Sequence, residues 1–216
     1  MEIRIKENRL KAGGIYVVVD PQQEEKLLLQ RLKIIVEKGV SAVQIWDHFK
    51  DDQNVEELVA KIQRLCLPRQ LPLLINNRWE DVPKLGLDGV HFDRIPQDLT
   101  TIKSKVGDQA IIGLTCGNAM KSIEWAAQNK IDYISFCSLF PSKSAGACEL
   151  VSHKVIKEAR KRYKGTLYLA GGIAPDNLTT LSDLAFDGIA VISGLMDAKH
   201  PDRALEAYNS NLHSIL

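Results

Sequence analysis

The sequence predicts an α/β fold, a single (β/α)8 TIM barrel spanning residues 1–216, and three observations carry that prediction. Short β-branched runs alternate with longer stretches of helical period along the whole chain. The Gly-bearing turns come late, as AGGI at 170–173 and ISG at 192–194, each closing an apolar run. The turn after the first apolar run, Val19, Asp20, Pro21, Gln22, holds no glycine. A doubly wound open sheet would want its phosphate turn there, so the late glycines favour the barrel.

The elements follow in order. A strand over 15–19 leads into a helix over 27–36, which Gly39 stops. Strand two covers 42–45 and its helix 55–66. Strand three covers 72–75, with a short helix near 78–85, and strand four 89–91, with a helix near 98–106. Strand five, 111–115, precedes a helix over 119–128. Strand six, 133–137, is followed by a longer loop, 138–149, and a helix over 152–163. Strand seven, 167–170, is followed by a helix over 175–184, with Pro175 suited to its first turn. Strand eight, 188–192, leads to a closing helix over 201–212. No linker, repeat or low-complexity tract interrupts the pattern.

Bulk properties narrow the function classes. With 45% hydrophobic and 25% charged residues, the chain has the composition of an ordinary globular domain. A net charge of +1 argues against a broad nucleic-acid-binding surface. No apolar run reaches membrane-spanning length, and the N-terminus lacks the apolar stretch of a signal peptide, so a cytoplasmic location is expected. Cys66, Cys116, Cys137 and Cys148 form no C-x-x-C pair, which argues against a structural zinc site and for free thiols. Oligomeric state is not written in the sequence, and a homodimer stays open.

In a barrel of this kind, active groups sit at the C-terminal ends of the strands and in the loops after them. That rule selects Asp20, Gln44, Trp46, Asn76, Asn77, His91, Asp93, Thr115, Ser142, Ser144, Gly172 and Ser193. The glycine turns after strands seven and eight, Gly171 and Gly172 with Ile192 and Ser193, offer backbone N–H groups to a phosphate. A phosphorylated small molecule is therefore the expected ligand.

Nine motifs then occur in one order: YVVVD at 16–20, VQI at 43–45, INNR at 75–78, DGVH at 88–91, GLT at 113–115, DYI at 132–134, FPSKS at 140–144, AGGI at 170–173 and GIAVIS at 188–193. Together they resemble the thiamine phosphate synthase family, including its thiazole tautomerase relatives, over nearly the full chain. The resemblance implies a transferase that joins a pyrimidine methyl pyrophosphate to a thiazole phosphate, with magnesium and basic residues drawing off pyrophosphate. It places Ser142 and Ser144 where the family has a Thr-x-Thr pair. It matches Gly171, Gly172, Ile192 and Ser193 to the thiazole-phosphate pocket. Gln44, Asn76 and Thr115 fall on the pyrimidine face, and Asn77 stands next to them.

The pyrophosphate half departs from the family pattern. Where the family reads Gln-x-Arg-Glu-Lys, this chain reads Gln44, Ile45, Trp46, Asp47, His48. The family's metal-binding Asp after strand three is Asn77, and its Gly-Gln-Glu-Asp after strand four is Asp93, Arg94, Ile95, Pro96. Mg2+ is expected from the family, yet its ligands are largely missing, and no catalytic residue carries over. Each ionic contact to a leaving group is worth roughly 1.5–3 kcal/mol, so four lost partners amount to about 6–12 kcal/mol if nothing replaces them. Arg78, Arg94 and Lys143 are the cations near enough in sequence to substitute, and an exposed lysine or a solvent-facing helix-start arginine is the plain alternative. Trp46 either stacks on a heterocycle or fills the vacated space. An isomerase of the tautomerase kind needs no metal, but the family's His acid/base is Gly117 here, next to Cys116. A non-catalytic binder of a phosphorylated heterocycle is the third reading.

Overall fold

Eight parallel strands close into one barrel in sequence order, with β8 paired to β1. The computed structural model describes residues 10, 13–142 and 149–216. The strands are β1 (Gly14–Val19), β2 (Ala42–Ile45), β3 (Leu73–Asn76), β4 (Gly89–Phe92), β5 (Ile111–Cys116), β6 (Tyr133–Phe136), β7 (Thr166–Ala170) and β8 (Gly188–Val191). Between and after them run α1 (Glu25–Lys38), α2 (Val55–Cys66), α3 (Asp81–Leu85), α4 (Leu99–Val106), α5 (Met120–Gln128), α6 (His153–Arg162), α7 (Pro175–Leu178), α8 (Ser193–Met196) and α9 (Pro201–His213). Among the described residues, no helix is long and apolar enough to cross a membrane.

Local chemistry starts and stops these helices where the sequence marks them. The Glu24 carboxylate accepts from the Lys26 and Leu27 N–H groups at the head of α1, and Asn54, Asp98 and Ser152 cap α2, α4 and α6 in the same manner. Leu28, Leu32, Ile35 and Val36 of α1 and Leu58, Val59 and Ile62 of α2 are buried at helical spacing against the outer barrel wall.

Side chains alternate across each strand, and this alternation builds the site. Val17, Val19, Val43, Ile45, Leu114, Cys116, Ile134, Leu167, Leu169 and Ile189 belong to the large core between barrel and helices. Tyr16, Val18, Ala42, Leu74, Ile111, Tyr133, Tyr168 and Ala190 form a separate cluster. Tyr16 meets Tyr133 and Tyr168 edge-on, with ring centroids 6.0 and 4.9 Å apart, making an aromatic floor across the lumen. Small residues make room for it: a Cβ on Gly113 would meet the Tyr133 ring. Nearer the C-terminal ends of β2 to β6 the inward positions turn polar, as Gln44, Asn76, His91, Thr115 and Ser135, whereas Val18, Ala170 and Ala190 of β1, β7 and β8 keep that side apolar.

The predicted architecture stands, with local revisions. Strand three begins and ends one residue later than the periodicity suggests, which brings Asn76 into the ladder opposite His91. The helix expected over 175–184 ends at Leu178 and tightens into a 3-10 turn over Thr179–Leu181. The four-residue α8 directly after β8 is absent from the sequence reading, because one turn is too short to show a helical period.

Candidate functional site

A cavity of about 380 Å³ opens at the C-terminal ends of the strands. Eight of the expected binding residues line it: Gln44, Asn76, Thr115, Ser142, Gly171, Gly172, Ile192 and Ser193. Trp46, His91, Asp93 and Arg94 line it too. Asn77 stands outside the lining, and Ser144 and Lys143 lie outside the described residues. Asp20 is also outside; its side chain accepts from the Gln22 N–H and shapes the turn after β1. Tyr16 and Ser135 line the cavity without having been singled out in the sequence, and Cys137, part-buried at the end of an apolar run, lines it too. The signal was available for Tyr16 and Ser135, since each sits on an inward register of its strand.

One end of the cavity is a glycine corner. β7 and β8 are neighbours, with Ala170 level with Ala190, so their two terminal turns lie side by side. Gly171 and Gly172 both have positive φ, 86° and 67°. The need for glycine here comes from the packing of the protein's own chain. A Cβ on Gly171 would strike Ser138, and one on Gly172 would lie 2.6 Å from the Phe140 carbonyl oxygen. The chain after β6 is stitched onto this corner: Leu139 N–H donates to the Ala170 carbonyl and Phe140 N–H to that of Gly171, each at 3.0 Å. Asn177 donates to the Gly172 carbonyl at 2.9 Å, and Tyr208 of α9 donates to that of Ile173 at 2.8 Å. The N–H groups of Gly172, Ser193 and Gly194 donate to no partner among the described residues. They are the donors an anion would find.

The other end is a run of amides. Gln44 Nε2 donates to Asn76 Oδ1 at 2.6 Å, and Asn76 Nδ2 donates to Asp93 Oδ2 at 3.0 Å. Gln44 and Asn76 are 3% and 2% exposed, and Gln44 Oε1 is buried with no partner among the described residues. Between the ends, His91 Nε2 lies 2.7 Å from Thr115 Oγ1, and His91 Nδ1 lies 2.9 Å from the Tyr133 hydroxyl. Burial pushes the His91 imidazole down to about 4, against a smaller upward pull from Asp93, so the ring is neutral at pH 7.

Placement bears on three of the sequence alternatives. Arg78 turns away from the cavity: Nε pairs with Asp81 at 2.6 Å, and the guanidinium lies over Phe49, 4.9 Å from its centroid. Arg94 is exposed at the rim of the cavity, where it forms part of the lining, and has no carboxylate partner among the described residues. Cys116 points outward into the core, fully buried, and its thiol is pushed up to about 12 by desolvation. It is therefore no acid/base for the site, because strand alternation puts Thr115 inward and Cys116 outward.

A divalent cation does not fit the rim as it is built. Asn77 has φ 54°, and its Oδ1 accepts from the Asp93 N–H at 3.0 Å. Its Nδ2 must then face outward, where it donates to Asp47 at 2.8 Å and Asp93 at 2.9 Å. An amide NH2 group thus occupies the position between two carboxylates, and a donor cannot ligate a metal. Among the described residues, no group of three His, Cys, Asp or Glu side chains is arranged to hold one. Asn77→Asp would put a carboxylate in that place. The variant is expected to rise in thermal midpoint by about 2–4 °C with millimolar Mg2+, whereas the unaltered chain shows no such rise in parallel scans.

The family model described as thiamine monophosphate synthase matches residues 15–195. A thiamine-phosphate synthase of Methanobrevibacter smithii is 28% identical over 193 residues, covering 89% of this chain and 92% of the relative. One of Nitrosococcus oceani is 28% identical over 205 residues, 93% of each. The solved thiamine phosphate pyrophosphorylase of Pyrococcus furiosus superposes with a TM-score of 0.78 at 21% identity, over 97% of this chain and 98% of that one.

Proposed function

The chain belongs to the thiamine monophosphate synthase family, and we propose on that premise that it joins a pyrimidine methyl pyrophosphate to a thiazole phosphate at the barrel mouth. The observation that supports this most is the single cavity linking the amide end to the glycine corner. Thiazole phosphate sits at the glycine corner, its phosphate on the Gly172, Ser193 and Gly194 N–H groups with Ser142 beside it. The pyrimidine sits at the amide end over the tyrosine floor, within reach of Gln44, Asn76 and Thr115.

The bond from the pyrimidine methylene carbon to the pyrophosphate oxygen breaks, and its electron pair leaves with pyrophosphate. The lone pair of the thiazole nitrogen then forms the new C–N bond. The residues present serve this in two ways. A neutral His91 adds no positive charge beside the carbon that becomes cationic, and Asp93 at the rim places negative charge near it. Arg94 supplies the guanidinium that faces the leaving group. Magnesium belongs to the family's chemistry, but the Asn77 amide stands in its place here, and no step is assigned to it.

Arg94→Met is expected to lower kcat/KM for the transfer by about 10–100-fold while leaving thiazole phosphate affinity within about twofold, as steady-state kinetics and calorimetry would read. The reading as a whole is tested by incubating the protein with both substrates, with and without Mg2+, and assaying thiamine phosphate. Product is expected. The filled metal position favours a second reading, a non-catalytic binder of the phosphorylated heterocycle. Absence of product under all metal conditions, with thermal stabilisation by thiazole phosphate, would replace the transferase reading with that one.

A further inference from the structure

The amide end of the cavity has a direction, and a carboxylate imposes it. The side chain of Asp93 accepts through its carboxylate and has no N–H to give. Asn76 therefore has to turn its NH2 toward Asp93 Oδ2, where it lies at 3.0 Å. Its carbonyl oxygen is then left to face Gln44. Gln44 must in turn offer its NH2 to Asn76 Oδ1, at 2.6 Å. The last atom of the chain, Gln44 Oε1, is buried and unpartnered among the described residues, on a side chain 3% exposed that lines the cavity. Turning Gln44 alone would set its carbonyl oxygen against that of Asn76, and turning Asn76 alone would set two NH2 groups against each other, at that short distance. A second lock holds Asp93 itself: Asn77 Nδ2 donates to the same Oδ2 at 2.9 Å, and Asn77 Oδ1 accepts from the Asp93 N–H.

We propose that Asp93 is a specificity-determining positioning residue, which fixes the Asn76 and Gln44 amides so that the cavity presents an acceptor and selects a heterocycle bearing an N–H donor. A ring carrying an exocyclic amino group satisfies Gln44 Oε1. A ring of the same shape with only acceptors there leaves that oxygen buried without a partner and opposes it with a second oxygen. Asp93 touches neither ring in this arrangement; it acts through two amides. The inference rests on the proposed placement of the pyrimidine at the amide end.

The test compares two probes by calorimetry: 2-methyl-4-aminopyrimidine and 2-methyl-4-methoxypyrimidine, the latter having acceptors only. The unaltered chain is expected to bind the amino compound at least about tenfold more tightly. Asp93→Asn keeps the shape but allows the side chain to present an NH2, so the amide run can reverse. In this variant the preference is expected to fall to within about threefold. Asp93→Ala removes the imposed direction altogether, and it reads the same ratio should Asp93→Asn fold poorly. A merely structural role for Asp93 would weaken both probes alike and leave the ratio unchanged, which overturns the proposal. Equal binding of the two probes by the unaltered chain overturns it while leaving the pyrimidine placement intact. Failure of the unaltered chain to bind either probe overturns the placement and the proposal together.

Discussion

Gly171→Ala is expected to destabilise the fold by about 3–4 kcal/mol and to abolish stabilisation by a phosphorylated ligand. Two costs combine. The residue has φ 86°, a conformation that costs an L-residue roughly 1–2 kcal/mol. The added Cβ would also strike the Ser138 hydroxyl and lie 2.7 Å from its Cα. Ser138 has little room to yield: it is 1% exposed, its hydroxyl donates to the Phe140 carbonyl at 2.8 Å, and its carbonyl accepts from the Val151 N–H. Pushing that segment aside adds about 1–3 kcal/mol and separates the chain after β6 from the glycine corner. Gly107→Ala provides the comparison, because Gly107 has φ 89° but open space around its missing Cβ. Denaturant midpoints should show about 1 kcal/mol for Gly107→Ala and the larger loss for Gly171→Ala. Equal losses would mean that close packing at the corner contributes nothing.

Acidification is the second large expected effect. The buried His91 has its pKa lowered from 6.5 to about 4 by desolvation. Between those values the unfolded chain takes up a proton that the folded chain does not, so stability falls as pH falls. The contribution is complete above 6.5 and gone below about 4, and it amounts to roughly 3 kcal/mol. His91→Gln retains a side chain able to bond Thr115 or Tyr133 and cannot titrate. Its stability should change less across this window than that of the unaltered chain, as denaturant titrations at a series of pH values would show. Parallel curves for the two proteins would remove His91 as the origin of the acid sensitivity.

Much of the barrel was legible because strand and helix periods are local properties. The run over 42–45 and the helix over 55–66 appear in the structure with those bounds, as β2 and α2. α8 was not legible, because four residues cannot display a 3.6-residue repeat. In the site, the strand-end rule found Gln44, Asn76 and Thr115, since a polar residue after an apolar inward register stands out. Ser135 escaped notice inside an apolar run. The bridging of Asp47 and Asp93 by Asn77 escaped for another reason: it joins the ends of β2, β3 and β4, 30 and 16 residues apart in sequence. Spacing along the chain says nothing about which atom of an amide faces which carboxylate. The reason for Gly171 and Gly172 was hidden likewise, because the atoms that exclude their Cβ groups belong to Ser138 and Phe140 of the preceding loop.

A crystal structure of the protein with thiazole phosphate bound tests the glycine-corner assignment most directly. The expected result is phosphate oxygens at hydrogen-bond distance, about 2.8–3.1 Å, from the Gly172 and Ser193 nitrogens, with the ring directed toward Gln44. A phosphate bound at Arg94 and the amide end, or a glycine corner left empty while the ligand lies elsewhere, would contradict it.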